Sequence, residues 1–232
     1  MTDSFSGFTP QALQFLVDLA GNNERTWFQA RKVEYERLLK EPLEALCVAL
    51  GERFEQRGIP LTSDPRRSPF RIYRDVRFSR DKSPYKTHVA ANFPWSDPAP
   101  VGQAEAHGGV GGYFSFSPAE SYIGGGMWHP ERERLAAFRR IVDQDPERVM
   151  AAVADPAFVD AFKNVHGDSL TRVPQGFDKD HPRAELLKLK DVVFGLELSE
   201  EDVFSPGLPD VIAEAFSASV PVLRLLASLG GE

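Results

Sequence analysis

The stretch "GGVGGYFSFSPAESYIGGGMW", Gly108 to Trp128, decides the fold. Two runs in which aromatic or branched residues alternate with Ser or Gly flank Pro118-Ala119. A period of two predicts strands, and so short a connection joins antiparallel neighbours. The hairpin is "FSFSPAESYI", with Pro118-Ala119 at its turn. Upstream, "FRIYRDVRF" (70–78) and "THVAANFPW" (87–95) continue the texture, so the strand block spans 69–128. "SDPAPVGQAEA", Ser96 to Ala106, reads as a loop.

Helices are predicted on both sides. Thr9-Pro10 caps the first, with Leu13, Leu16, Val17 and Ala20 as its stripe. Asn23 caps a second that Pro42 closes, and a third ends near Gly58. After the strand block, a helix starts near Pro130 with His129 as its cap. Asp145-Pro146 and Asp155-Pro156 restart short helices, and "HPRAELLKLK" is another. "VVFGLELS" is a late strand with Val192, Phe194, Leu196 and Leu198 on one side. The last helix runs from about Pro209 to Leu229, and Pro221 is expected to kink or divide it. Helices over 9–58, strands over 69–128, then helices with one late strand over 129–229 make one α+β domain, residues 1–232. Its central sheet is mainly antiparallel, flanked by the N-terminal and C-terminal helices.

Composition narrows the function. A net charge of −7 disfavours general binding to nucleic acid or a membrane surface. No apolar run approaches the ~20 residues of a membrane span, and "MTDSFSGFTP" has no signal-peptide pattern, so a cytoplasmic location is expected. The single cysteine, Cys47, sits among Leu43, Leu46 and Leu50 at helical spacing and reads as core. His88, His107 and His129 show no metal-ligand spacing, and no metal is expected. "HGGVGGYF" and "GGGMW" lack the features of a nucleotide loop. Their glycines instead suit close approach of a covering helix or a ligand, and no cofactor is expected.

One segment departs from the acidic balance. Between Arg66 and His88 stand eight Arg and Lys and two Asp; this +6 segment in a chain of −7 leaves −13 elsewhere. Read as a regular strand, Phe70 to Phe78 places Phe70, Ile72, Arg74, Val76 and Phe78 on one side. Arg71, Tyr73, Asp75 and Arg77 then lie on the other. Asp75 between Arg71 and Arg77 orients two guanidinium groups that keep donors for a phosphate or carboxylate. The chain then turns at "SRDKSPY", presenting Lys82 and Tyr85.

Arg71-x-x-Arg74-Asp75-x-Arg77-Phe78-x-x-Asp81-Lys82-x-x-Tyr85 resembles the signature of a mostly bacterial family of about this length, conserved hypothetical proteins with a domain of unknown function. "NNERTWF", "GGGMWHP" and "RVPQGFDKDHPRAELLKLK" share the resemblance, which covers nearly the whole chain. It implies no reaction or substrate, but adds weight to these residues. The predicted site therefore holds a small anion with Arg71, Arg74, Arg77, Lys82 and Lys86. Asp75, Asp81 and Tyr85 are the candidate catalytic groups. No Ser-His-Asp, Cys-His or paired-carboxylate pattern sets a reaction class. Two other readings stand beside this one: a binding module that docks nucleic acid or an acidic partner, and an ion-pair network that holds helices to sheet.

Overall fold

The computed structural model describes residues 5–96 and 109–230. The loop read at Ser96 to Ala106 lies, beyond Ser96, outside these residues, as does His107. The fold is α+β. Four strands, β1 (Val89–Pro94), β2 (Val110–Phe116), β3 (Tyr122–Met127) and β4 (Val192–Glu197), form one sheet in sequence order with every neighbour antiparallel.

Register follows the alternation. Val89, Ala91 and Phe93 stand beside Phe116, Phe114 and Gly112, and the row continues through Ile123 and Gly125 to Leu196 and Phe194. Helices cover this apolar face. α4 (Glu41–Arg57) packs on β1, and α10 (Leu208–Ala227) packs on β2 and β3. Phe54 of α4, Phe93 of β1 and Phe216 of α10 meet edge to face at 5.7–5.9 Å, joining both helices to the sheet. Glycines make room for these rings: Gly112 lets Phe216 of α10 approach, and Gly125 leaves space for the ring of Phe194 on the neighbouring strand β4. A Cβ on Gly112 would lie 2.6 Å from Phe216 Cζ, and one on Gly125 would lie 2.7 Å from Phe194 Cζ and 2.8 Å from the Gly111 carbonyl.

Several local predictions hold. Thr9 caps α1 (Pro10–Gly21), and Asp145 and Asp155 cap α6 (Pro146–Val153) and α7 (Pro156–Phe162) through their side chains. α4 stops at Gly58 in the left-handed region, and Cys47 is buried, its thiol pushed up to about 12 by that burial.

Others are corrected. Pro42 does not close a helix: α2 (Arg25–Ala30) and α3 (Lys32–Tyr35) lead through a π-helical turn at Glu36–Lys40 into α4, with Pro42 in its first turn. The missing N–H of Pro42 falls directly after the π turn, where the regular four-residue hydrogen-bond ladder is already interrupted. Pro221 does not divide α10. His129 is not a helix cap. α5 (Arg132–Gln144) begins after it, while His129 adopts φ 49 and directs its backbone N–H and ring Nδ1 to the buried carboxylate of Asp191, at 2.6 and 3.1 Å. α8 (Ala184–Lys188) and α9 (Glu200–Phe204) complete the helices used below. No helix is long and apolar enough to cross a membrane among the described residues.

Gly125→Ala drives a methyl group against a buried ring and a backbone carbonyl. We expect it to cost about 1–3 kcal/mol of stability in urea unfolding; a change below about 0.5 kcal/mol contradicts this packing.

Candidate functional site

The cationic segment is not a regular strand. Residues 68–74 run antiparallel to 84–92 as an irregular arm along the β1 edge, with isolated bridges at Pro69–Ala91 and Tyr73–Tyr85 in place of a continuous ladder. Phe70 N–H donates to the Ala90 carbonyl, Lys86 N–H to Ile72 and Arg74 N–H to Pro84, at 2.8–2.9 Å. The pairing offset shifts by two between Phe70–Ala90 and Ile72–Lys86, which breaks the ladder.

Extended structure ends at Arg74 for a local reason. The Asp75 carboxylate accepts the backbone N–H of Arg77 at 3.2 Å, and that of Asp81 accepts the N–H of Ser83 at 2.9 Å. Aspartate side chains that bind the backbone two residues on fold it into turns. Residues 75–83 therefore form a tip. Phe78, expected on the inward side with Ile72, is 97% exposed there, whereas Ile72 is buried.

The arm is held against the helices from its inner side. Asn23, just before α2, accepts the Tyr85 N–H through Oδ1 and donates through Nδ2 to the Tyr85 carbonyl, both at 3.0 Å. It is thus a bridge to the arm rather than the N-terminal cap of the helix. The Tyr85 ring, 1% exposed, stacks on buried Phe28 of α2 with centroids 4.1 Å apart. Tyr73 joins this cluster at 5.4 Å from Tyr85. Beside it opens a cleft of about 290 Å³ lined by Arg25, Gln29, Tyr73, Arg74, Val76, Pro84 and Tyr85.

The predicted cations fall into three groups. Arg74 borders the cleft, and its Nη1 pairs with Asp81. Asp81 also accepts the Ser83 hydroxyl at 2.6 Å, and the bonds from Ser83 followed by the Arg74 pair hold it well below the usual carboxylate range. Arg77 and Lys82 belong to the tip. Arg77 Nη2 meets Asp75 at 2.6 Å, and Lys82 Nζ donates to the Val76 carbonyl at 2.9 Å. The Arg77 side chain, then its backbone N–H, lowers Asp75 to about 2. Neither ion pair reaches a helix; both close the tip on itself.

Arg71, Lys86 and His88 form the third group, at the base of the arm. Lys86 Nζ lies 5.0 Å from the Phe70 ring centre. Burial, then Arg71, lowers the Lys86 pKa; burial, then Lys86, lowers that of His88. Among the described residues none of the three has a carboxylate within 4.0 Å.

Arg25 was missed. It sits in the first turn of α2, exposed, with no ion pair among the described residues. The only signal was its place inside "NNERTWF". Lys188 and Lys190 pair with Glu185 and Asp168 at 2.7 and 3.4 Å. Trp95 is half-buried against the core.

Two outcomes check this geometry. Asn23→Ala leaves both backbone groups of Tyr85 without their partner, and a loss of about 1–3 kcal/mol is expected on urea unfolding; an unchanged midpoint contradicts the bridge. A depressed carboxylate stabilises the tip above its unfolded pKa and ceases to do so as pH falls through its folded value. Carbon-detected NMR is expected to place the Asp75 carboxyl midpoint at about 2. A midpoint near the ordinary value of about 3.9 contradicts the Asp75–Arg77 pair.

No curated protein and no solved structure matches the chain. A family model does, over residues 11–224, and the chain belongs to the family it describes, the conserved hypothetical proteins of DUF2461.

Proposed function

We propose that the protein binds a small phosphorylated or carboxylated ligand in the cleft between α2 and the arm, with Arg25 and Arg74 holding the anion. One observation carries the reading. Two guanidinium groups from elements far apart in sequence border the same cleft, and both keep donors without a protein acceptor among the described residues. Arg74 commits Nη1 to Asp81, while Arg25 has no ion-pair partner among the described residues. Guanidinium donors left over in a recess suit the oxygens of phosphate or carboxylate.

Roles within the site follow from position. Asp81, kept ionised by Ser83 and Arg74, orients the Arg74 fork, and Asp75 does the same for Arg77 at the tip. Carboxylates so strongly held are poor proton carriers near neutral pH. Tyr85, which lines the cleft, is the group placed to exchange a proton with the ligand. Arg71 and Lys86, with Arg77 and Lys82, add positive potential that draws an anion toward the arm of an otherwise acidic molecule. The cytoplasm is the proposed location.

A second reading rests on Phe78. A fully exposed phenylalanine, with the Arg77 guanidinium 5.9 Å from its ring centre, also suits docking of an acidic partner or nucleic acid through the tip.

A thermal-shift screen of phosphorylated metabolites and organic acids separates the readings. We expect one compound to raise the melting temperature of the parent and not of Arg25→Ala, whose own stability stays within about 0.5 kcal/mol of the parent. Stabilisation by polyanions only, falling steeply with salt and lost in Phe78→Ala, transfers the function to the tip. A small-ligand shift unaltered in Arg25→Ala sinks the cleft.

A further inference from the structure

A second cavity, larger than the cleft beside the arm, lies elsewhere. About 490 Å³ opens between α6 and the segment 164–186, within the 300–1,000 Å³ usual for small-molecule sites. Its apolar lining comes from Met150, Val153, Val165, Pro182 and Leu186. One polar group inside it is poised. The His181 side chain is only 10% exposed and lines the cavity. Its Nδ1 accepts the backbone N–H of Arg183 at 3.0 Å, which places the proton of the neutral ring on Nε2. That Nε2–H has no hydrogen-bond acceptor among the described residues, for Asp143 Oδ1 stands 4.0 Å away, beyond bonding range. The ring is nine-tenths buried while its Nε2–H is left to solvent in the cavity, a partner that a ligand oxygen can replace.

The chain departs from relaxed geometry at the same place. Lys163 adopts φ 66 and ψ −58, and Asn164 N–H donates to the Phe162 carbonyl at 2.8 Å. This is the strained three-residue turn with positive φ, uncommon outside glycine. It ends α7 and sets Asn164 on the cavity wall.

Charge restricts what can enter. The charges of Arg183 and Glu185 on the lining cancel, and a carboxylate received by Nε2 would stand close to the Asp143 carboxylate, where like charges repel. The geometry points to a small uncharged aliphatic ligand bearing one carbonyl-type oxygen, received by the His181 Nε2–H with its chain against Met150, Val153 and Val165.

Methyl and imidazole NMR of the full chain tests this with 2-octanone and octanoate as probes. 2-Octanone is expected to shift the Met150, Val153 and Val165 methyl signals and the His181 Nε2 resonance together and saturably, with octanoate at least tenfold weaker. His181→Phe, which keeps the ring and removes the donor, weakens 2-octanone about tenfold. His181→Gln, which retains both a donor and an acceptor for the Arg183 N–H, stays within about threefold of the parent. The inference is overturned if 2-octanone leaves those methyl groups unmoved, if octanoate binds as tightly, or if His181→Phe matches the parent. Where His181→Phe does not give a native spectrum, the parent's Nε2 signal decides: no movement on adding 2-octanone overturns the assignment.

Discussion

Two hydrogen bonds from one amide side chain set the geometry of the candidate site. Asn23 satisfies both backbone groups of Tyr85 across 62 residues of sequence, and Phe28 receives the Tyr85 ring. An arm of two irregular strands with isolated bridges has little stability of its own in water. Pinned at Tyr85 it becomes a wall, and α2 becomes the wall opposite. The cleft is what remains between them, so Arg25 and Arg74 border one recess because Asn23 holds Tyr85.

Electrostatics divide the arm into parts with different uses. At the tip each aspartate answers an arginine and folds the backbone at the same time; those charges are consumed locally. At the base, half-buried Lys86 and His88 crowd beside exposed Arg71, with no carboxylate within ion-pair distance among the described residues. The cleft lies between these extremes, with one guanidinium partly committed and another free. An anion placed there meets donors already positioned, and the acidic remainder of the chain discourages polyanions from spreading over the surface.

The sheet was legible in the sequence because its alternation is a burial pattern. Phe114 and Phe116, or Val192 and Phe194, are inward for the same reason that they repeat every second residue. The arm obeys that rule only to Arg74. Beyond it Asp75 and Asp81 outcompete the ladder for backbone N–H groups, a contest that hydrophobic spacing does not reveal. Asn23 looked like a cap because a cap and a long-range bridge use the same side-chain chemistry, and one chain does not say which N–H it meets. Arg25 escaped notice because its partner in the cleft lies 49 positions downstream. His181 heads the short helix read in "HPRAELLKLK" and carries no signal of a site in sequence; its confinement arises from how α6 and the following segment enclose it. Of the glycines read as admitting a covering helix, Gly112 does so for Phe216 of α10, whereas Gly125 yields its side-chain volume to Phe194 of the neighbouring strand.

Scaffold and site thus answer to different demands. The buried sheet face and its helices are specified by packing, whereas the cleft depends on polar contacts between distant segments and is the part most exposed to single substitutions. The most direct examination is crystallographic, with selenate as a heavy-atom substitute for a small oxyanion. An anomalous selenium peak within hydrogen-bonding distance of both the Arg25 and Arg74 guanidinium groups is the result this account predicts. Selenate bound at the Lys86 cluster or on the tip, with the cleft empty in the same crystal, would contradict it.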